Sequence, residues 1–229
     1  MAVRILNSFG VSMSPAPARD SMTTASSTLR ILSWNVLRRI GAGPEDVAEL
    51  IARYRPDLVL LQEADTGMER LPELVGGSLA RDAFPGRIHG PAVWSPNLIR
   101  RPRLVRLPGG RTRRHAQVVE VGPVTFVNVH LGHGQLTCRR QLREAAAAIP
   151  GAGAVIGDFN MIGPAVLPGF SDVGPREPTH VATDLLPVRI DRCFARGLLC
   201  RRAQALSAGR SDHRPMLLDL AAAELALAA

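Results

Sequence analysis

Pro-Asp-Leu-Val-Leu-Leu-Gln-Glu, at residues 56–63, is an almost unbroken apolar run that ends in a carboxamide and a carboxylate. Its length and its Leu and Val content predict a short strand, Leu58–Gln62, that is largely buried. Glu63 follows directly on this strand, where a buried carboxylate without a partner would be costly. The position of this charge therefore indicates a functional residue rather than a structural one.

Other apolar runs of the chain also end at, or begin after, polar residues that can carry chemistry. These residues are Asn35, His130, Asp158, Asn160, Asp191, Asp212 and His213. In a pair of packed sheets, the ends of such strands can converge at one edge. The sequence thus predicts that these side chains and Glu63 meet in space.

Short apolar runs bounded by Gly, Pro or Asp dominate the chain from Leu29 onward. Besides Leu58–Gln62, they predict strands at Leu29–Val36, Ala92–Trp94, Leu104–Leu107, Ala116–Val121, Val124–Leu131, Ala154–Ile156, Arg189–Phe194 and Pro215–Leu220. Helical spacing and first-turn residues predict a helix over 44–54, and a second over 137–148 that starts at a capping Thr137. Strands outnumber helices and short turns predict hairpins between many of them, which favours an α+β fold of packed sheets with helices outside.

Length and composition describe one globular domain. The chain has 229 residues, with 46% hydrophobic and 21% charged residues. No apolar run approaches the roughly 20 residues that cross a bilayer, which excludes a transmembrane helix. We expect a disordered leader at 1–28, a folded domain at 29–221 and a short tail at 222–229.

All 28 basic residues are Arg, and the formal net charge is +8. A basic excess attracts phosphate-bearing partners, because guanidinium groups bind phosphate oxygens in pairs. A GC-rich coding sequence explains the absence of Lys equally well, so charge alone does not establish a nucleic-acid ligand. Seven arginines lie in the segment 100–114, which is either a solvated hairpin or a basic arm that grips a polyanion.

The three cysteines, Cys138, Cys193 and Cys200, are odd in number and form no CxxC pair. They argue against a disulfide framework or a zinc ribbon and favour the reducing cytoplasm. Secretion has only weak support, because polar residues interrupt the apolar stretch at 2–13.

The candidate residues are suited to one kind of chemistry. Carboxylate and carboxamide oxygens are the ligands that Mg²⁺ or Mn²⁺ prefers. Such an ion can neutralise charge on a phosphate ester, and a His beside a carboxylate can transfer protons. The chain has neither a Gly-x-Ser-x-Gly element nor the Lys of a phosphate-binding loop. The residues therefore indicate metal-assisted cleavage of a phosphoester.

Six motifs in order carry a family resemblance: Leu-Ser-Trp-Asn-Val (32–36), Pro-Asp-Leu-Val-Leu-Leu-Gln-Glu (56–63), Asn-Val-His-Leu (128–131), Gly-Asp-Phe-Asn (157–160), Ile-Asp-Arg (190–192) and Ser-Asp-His-Arg-Pro (211–215). They resemble those of the endonuclease/exonuclease/phosphatase superfamily, which includes deoxyribonuclease I-like nucleases, sphingomyelinases and inositol-polyphosphate phosphatases. The resemblance covers residues 29–221 and makes this span the expected catalytic domain. It implies a four-layer α/β/β/α sandwich, with two mostly antiparallel sheets flanked by helices.

The resemblance also implies a site for Mg²⁺ or Mn²⁺. Glu63 would be the principal metal ligand. Asn35 and Asp212 would lie close to the metal and its waters.

Catalytic roles follow from the same resemblance. Asp158 would activate or orient the attacking water, and Asn160 would hold the phosphate. His213 would bind or protonate the phosphate and would be oriented by Asp191. His130 would supply a second imidazole at the scissile group, as in the deoxyribonuclease and sphingomyelinase branches.

Two pairings stay open in the sequence. A carboxylate partner for His130 is not evident, although Glu69 and Asp82 are candidates. Asp191 could instead pair with a neighbouring arginine, Arg189 or Arg192.

Three functions fit these residues. The first is a Mg²⁺-dependent phosphodiesterase acting on nucleic acid, suggested by the metal-site residues and the arginines. The second is a hydrolase of a small or lipid-borne phosphoester, suggested by the compact chain and His130. The third is a catalytically weak fold that binds phosphate-bearing partners, but the intact set of Glu63, Asp158, Asp212 and His213 argues against it. We expect a monomer.

Overall fold

Two six-stranded sheets pack face to face in the structure, a computed structural model that describes residues 28–98, 100–110, 112–182 and 186–223. The predicted leader at 1–28 lies outside the described residues except for residue 28. The predicted tail at 222–229 lies outside them except for Ala222, which ends a strand, and Ala223. Arg111 of the arginine-rich segment also lies outside them.

Strands outnumber helices along the described part of the chain. The described strands are β1 (Leu29–Asn35), β2 (Leu58–Ala64), β3 (Ser78–Arg81), β4 (Gly90–Ser95), β5 (Arg103–Arg106), β6 (His115–Val121), β7 (Val124–His130), β8 (Gly153–Asp158), β9 (Ser171–Asp172), β10 (His180–Ala182), β11 (Leu186–Val188), β12 (Asp191–Arg196), β13 (Leu198–Ala205) and β14 (Met216–Ala222). The described helices are α1 (Pro44–Tyr54), α2 (Leu71–Val75) and α3 (Gln135–Ala147), with a 3₁₀ turn over Thr66–Arg70.

The order of strands is β13-β14-β1-β2-β4-β3 in the first sheet and β5-β6-β7-β8-β12-β9 in the second, while β10 and β11 form a separate hairpin. Two pairs are parallel, β1 with β2 and β7 with β8. The other neighbouring strands are antiparallel. A parallel pair needs a crossover connection, which α1 supplies in the first sheet and α3 in the second.

Residues of β2 alternate between two cores, which explains why its sequence is apolar throughout. Leu58 and Leu60 pack in the core between the sheets, whereas Val59 and Leu61 pack outward with Val47 of α1. A third core lies between the second sheet and α3. The three cores separate four layers, so the predicted α/β/β/α sandwich is confirmed, with only a few helices outside the sheets.

The helix predicted over 44–54 is confirmed as α1. The second helix begins earlier than predicted, at Gln135, and the predicted capping role of Thr137 is wrong because Thr137 lies inside the first turn. Gly134 occupies the capping position with φ of 94° and without a side-chain hydrogen bond. The turn into α3 therefore depends on the backbone freedom of a glycine.

Among the described strands of four or more residues, β3 and β13 were not predicted from the sequence. Both lie at edges of the first sheet, and most of their residues are partly or fully exposed. Such edge strands lack the apolar pattern that marks a buried strand. None of the described helices has both the length and the apolar character that a bilayer crossing requires.

Candidate active site

The polar ends of the central strands meet at one edge of the sandwich. The parallel registers place Asn35 beside Gln62 and His130 beside Asp158, and β12 begins opposite Asp158 at Asp191. The predicted side chains form one connected group at this place. We call this group the polar edge: Asn35, Glu63, His130, Asp158, Asn160, Asp191, Asp212 and His213.

Asp158 lies at the centre of the polar edge and is 1% exposed. Asn35 Nδ2 donates a hydrogen bond to Asp158 Oδ2 (3.0 Å), and the backbone N of Asn160 donates to Asp158 Oδ1 (2.8 Å). His130 Nε2 lies 3.3 Å from Asp158 Oδ2. Asn160 Nδ2 is held by the carbonyl oxygen of Leu131 at 2.9 Å. The carboxylate is thus fixed from both sheets.

Gly157 is required for this arrangement. Its φ is 137°, a value that L side chains rarely adopt. A Cβ at this position would lie 2.1 Å from the carbonyl oxygen of Val129 and 3.1 Å from Gln62 Nε2. The glycine of the Gly-Asp-Phe-Asn motif therefore lets β8 bring Asp158 close to the neighbouring strand and to the opposite sheet.

His213 is oriented from both sides. Its Nδ1 lies 2.8 Å from Asp191 Oδ2, and its carbonyl oxygen accepts a hydrogen bond from Trp34 Nε1 at 2.8 Å. Asp191 is in turn held by Thr179, whose Oγ1 accepts from the backbone N of Asp191 at 2.9 Å. With Nδ1 engaged by Asp191, the Nε2 atom of His213 faces Asn35 at 3.4 Å.

Glu63 has an unusual backbone for its residue type. Its φ is 58°, in the left-handed region, and the register of β2 with β4 shifts between Leu61 and Ala64. Such a bulge redirects a side chain at the end of a strand, and strain of this kind is common at functional sites. Glu63 Oε2 lies 3.3 Å from Arg38 Nη1, and Oε1 lies 3.9 Å from His130 Nε2.

The environment changes the acidity of three groups in the polar edge. Burial raises the pKa of Asp158 to about 6. Burial opposes charge on His213, but the charge and hydrogen bond of Asp191 outweigh it and raise the pKa of His213 to about 10. Burial, with the nearby charge of Arg114, lowers the pKa of His130 well below its ordinary value. At neutral pH the two imidazoles therefore carry different charges.

Asp212 lies at the rim, where its side chain is 34% exposed. Its Oδ1 lies 4.0 Å from His213 Nε2, and its Oδ2 lies 3.8 Å from His180 Nδ1. The ring of His180, to which the sequence assigned no role, packs on that of His213 with centroids 4.3 Å apart. Thr179 and His180 could not be found from sequence because a long-range bridge between His180 and His213 brings them to the site.

A set of buried carboxamides lies beneath the polar edge, between the sheets. Gln62 Nε2 donates to Asn128 Oδ1 at 2.8 Å, and Asn128 Nδ2 donates to the carbonyl oxygen of Leu61 at 3.0 Å. Asn128 Nδ2 also lies 3.3 Å from Gln117 Oε1. Gln62, Asn128 and Gln117 are completely buried, so this network fixes the two sheets relative to each other directly below the site.

The carboxylate partner of His130 is Asp158. Its Nε2 contacts Asp158 and lies farther from Glu63, whereas its buried Nδ1 has no hydrogen-bond partner among the described residues. Glu69 and Asp82, the candidates from the sequence, bind other side chains. The carboxylate nearest to His130 therefore belongs to the site itself.

The partner of Asp191 is a histidine and not an arginine. Asp191 binds His213, while Arg189 and Arg192 both bind Asp172. The ion pair that the sequence offered as an alternative for Asp191 is not formed.

The described arginines of the segment 100–114 lie in three different environments. Arg106 and Arg113 are exposed near the turn of the β5–β6 hairpin, at the end where β7 reaches His130. Arg114 turns inward, and its Nη1 donates to the carbonyl oxygen of His130 at 2.9 Å. The other described arginines of the segment line a cavity of about 590 Å³ that also includes Leu29, at the start of β1: Arg100, Arg101 and Arg103.

The four-layer sandwich thus carries a carboxylate–imidazole edge at the ends of its central strands. The family model described as the Endonuclease/Exonuclease/phosphatase family matches residues 32–213, and the chain belongs to this family. Members of the family are hydrolases that act on phosphoester bonds. No curated protein matches the chain.

Several solved structures share the fold. A humanized TDP2 from D. rerio with 14 mutations is 19% identical, with a TM-score of 0.69 over 85% of this chain and 99% of that chain. An endonuclease/exonuclease/phosphatase from Beutenbergia cavernae DSM 12333 is 20% identical, with a TM-score of 0.66 over 85% and 72%. ANGEL2, a 2',3'-cyclic phosphatase in complex with adenosine-2',3'-vanadate, is 13% identical, with a TM-score of 0.66 over 87% and 97%. At these identities the likeness concerns the fold.

Proposed function

We propose that the chain is a Mg²⁺- or Mn²⁺-dependent phosphodiesterase that cleaves nucleic acid at the polar edge. The observation that carries this proposal is the convergence on Asp158 of Asn35, His130 and the backbone of Asn160, with the His213–Asp191 pair beside them. A buried carboxylate held among donors, next to two imidazoles, is the arrangement that general acid–base chemistry needs.

Asp158 is the group that orients and deprotonates the attacking water. Burial raises its pKa to about 6, so the carboxylate is ionised at neutral pH yet basic enough to accept a proton. Its hydrogen bonds with Asn35 and Asn160 fix the direction of the lone pairs. The Asn160 side chain lies beside Asp158, with Nδ2 3.4 Å from Oδ2, and because it has no charge it can hold a phosphate oxygen without repelling it.

The two histidines divide the remaining work. His213 is an imidazolium at neutral pH, because Asp191 stabilises its charge, and it can bind a phosphate oxygen or protonate the leaving group. His130 is neutral, because burial lowers its pKa, and it can hydrogen-bond to the phosphate without adding charge. Environments that separate the pKa values of like groups typically assign them different roles.

The residues fit a divalent ion. Glu63 is largely buried, and the cation beside it is the half-exposed Arg38 at 3.3 Å, so its charge is only partly balanced. Glu63, Asn35 and Asp212 would hold Mg²⁺ or Mn²⁺, whose preferred ligands are oxygen atoms. When bound, the ion would neutralise charge that develops on the phosphate.

Nucleic acid is the substrate class that the surroundings favour. Arg106 and Arg113 are exposed at the end of the sheet where the polar edge lies, and such side chains bind backbone phosphates. A small or lipid-borne phosphoester is the second candidate, favoured by the position of His130 Nε2, 3.3 Å from Asp158 Oδ2. The free thiols of Cys138, Cys193 and Cys200 are consistent with the predicted cytoplasmic location, which stays a prediction, as does the monomeric state.

The test is hydrolysis of a chromogenic phosphodiester and of plasmid DNA with Mg²⁺, Mn²⁺ or EDTA. We expect metal-dependent cleavage of both substrates that Asp158→Asn abolishes. The matched control is Asp57→Asn, which makes the same change of charge at the other end of β2, where Asp57 is exposed. Cleavage of the chromogenic substrate alone would favour the small-phosphoester alternative, which phosphocholine and sugar phosphodiesters then test. Equal activity of wild type and Asp158→Asn would refute the proposed site, and inactivity on every substrate would favour a phosphate-binding module.

A further inference from the structure

His180, Asp212 and His213 bring two imidazole nitrogens and a carboxylate to one place at the rim of the site. The candidate ligand atoms of the three side chains all lie within 4.8 Å of one another. We propose that these residues form a binding site for a first-row transition-metal dication such as Zn²⁺, which shares Asp212 with the proposed Mg²⁺ ligand set but does not include Glu63 or Asn35. This inference concerns metal binding and does not depend on the proposed function.

His213 is prepared to act as a metal ligand. Its Nδ1 engages Asp191 at 2.8 Å, so Nε2 is the nitrogen that would coordinate, and metal binding would release the Nε2 proton to solvent. Histidine ligands in proteins almost always have their other ring nitrogen bonded to such an outer partner, and a carboxylate is a common one. Asp191 is 2% exposed and is itself held by Thr179, so the orientation of the ring is fixed.

His180 supplies the second nitrogen. Its Nδ1 is buried and has no hydrogen-bond partner among the described residues, although Asp212 Oδ2 lies 3.8 Å away. The backbone bridge between His180 and His213 and the hydrogen bond from Val181 N to the carbonyl oxygen of Asp212 hold this side of the site together. A buried nitrogen without a partner is a cost that a bound cation removes.

The distances from Asp212 to the two histidines are close to those of a metal site. Asp212 lies 4.0 Å from His213 Nε2 and 3.8 Å from His180 Nδ1. Ligands at about 2.1 Å from a tetrahedral Zn²⁺ are about 3.4 Å apart, so each histidine must approach Asp212 by roughly half an ångström, and all three ligand atoms already lie within 4.8 Å of one another. Asp212 is partly exposed at the rim, so its side chain can make most of that movement.

The nitrogen ligands determine the kind of metal. Imidazole suits Zn²⁺, Ni²⁺ and Cu²⁺, whereas Mg²⁺ prefers an oxygen cage and its own waters. If the proposed function is correct, a metal on His213 Nε2 also withdraws that imidazole from the phosphate. Zn²⁺ would then inhibit the Mg²⁺-supported reaction, and only this consequence rests on the proposed function.

The experiment measures Zn²⁺ affinity of the full chain by competition with a chromophoric chelator. His180→Phe retains an aromatic ring against His213 but removes both nitrogens, and we expect it to weaken Zn²⁺ binding by at least the roughly 10–100-fold that loss of even an outer-shell partner costs. His133→Phe is the matched control, because His133 is an exposed histidine in the loop before α3. Glu63→Gln reports on the alternative position, the Mg²⁺ ligand set.

The proposal is supported if His180→Phe loses Zn²⁺ while His133→Phe and Glu63→Gln bind it like wild type. It is overturned if His180→Phe binds Zn²⁺ with wild-type affinity, or if Glu63→Gln is the variant that loses it. Should His180→Phe fail to fold by circular dichroism, His180→Asn replaces it with the same expected result. Because the readout is binding, a negative result in this assay is distinct from a chain that fails to hydrolyse phosphodiesters.

Discussion

Asp172 links two arginines behind the active site, and its replacement by Asn tests how far this ion-pair cluster stabilises the fold. Arg189 binds both carboxylate oxygens, with Nη1 to Oδ2 at 2.8 Å and Nη2 to Oδ1 at 2.6 Å, and Arg192 Nη1 adds a contact of 3.1 Å. Arg192 also donates to the carbonyl oxygens of Met161 and Gly163, in the loop that follows Asn160. The cluster therefore fixes that loop to β12.

The expected loss of stability in Asp172→Asn follows from the burial of the charges. The side chains of Asp172 and Arg192 are only 15% and 5% exposed. Removing one partner of a buried ion pair costs about 3–5 kcal/mol, and the retained Asn oxygen together with the residual exposure favours the lower end, about 3 kcal/mol. A domain of this size loses about 2–4 °C in Tm for each kcal/mol, so Asp172→Asn should melt about 6–12 °C below wild type at pH 7.

The contribution of Asp172 to stability should decrease as the pH falls. Burial alone would raise the pKa of Asp172, but the hydrogen bonds and charges of Arg189 and Arg192 outweigh it and lower the pKa below 3.8. A lowered carboxyl pKa contributes stability above the pKa of the unfolded chain and loses it as the pH falls through the folded value. The Tm difference between wild type and Asp172→Asn should thus be constant from pH 7 to about pH 5 and narrow below about pH 4.

Thermal unfolding followed by circular dichroism, at several pH values, measures both quantities. A control, Asp65→Asn, removes an aspartate that caps the 3₁₀ turn and has no part in the cluster. A Tm within 2 °C of wild type at pH 7, with Asp172→Asn correctly folded, would refute the argument. So would a difference that grows on acidification, because it would place the carboxylate pKa on the other side of its ordinary value.

Three further changes test the site and its support. Asp191→Asn removes the negative charge that stabilises the His213 imidazolium and should lower phosphodiesterase activity by about 10²–10⁴-fold, with a lower Tm as well because a buried charge loses its partner, and kinetics within tenfold of wild type would contradict its role. Asn128→Leu leaves buried partners of the carboxamide network unsatisfied and should cost about 2–4 kcal/mol in urea unfolding, whereas wild-type stability would show that the network is dispensable. Trp34→Phe loses the hydrogen bond to the carbonyl oxygen of His213 and should cost about 1–2 kcal/mol in the same assay, and no loss would show that water replaces the indole.

The central part of the fold could be predicted from sequence because burial leaves a local mark. The run at 58–62 is apolar throughout, since β2 packs against the other sheet on one face and against α1 on the other. The helix over 44–54 begins with a proline and acidic residues and is found within the same bounds. The start of α3 was misjudged because it depends on the φ of Gly134, which no side-chain pattern reports. β13 was missed because an edge strand can present exposed arginines along its length.

The candidate site, like the fold, could be predicted only in part from the sequence. Polar residues at strand ends could be recognised one by one, because each follows an apolar run. Their pairing depends on long-range contacts, so that of His213 with Asp191, 22 residues apart, was expected only from the family resemblance, and that of Asn35 with Asp158, 123 residues apart, was not predicted. The catalytic and metal-binding roles assigned to these residues stay predictions until the variants are measured.

The backbone of Glu63 bears on how this protein could change over evolution. A non-glycine residue held at positive φ costs on the order of 1–3 kcal/mol, a penalty that glycine would not incur. At an ordinary strand end most substitutions would change stability little. At this position, relief of the backbone strain and retention of the carboxylate require different residues. Glu63→Gly would relieve the backbone strain and remove the carboxylate at once, so the more stable protein would be the one without the proposed metal ligand.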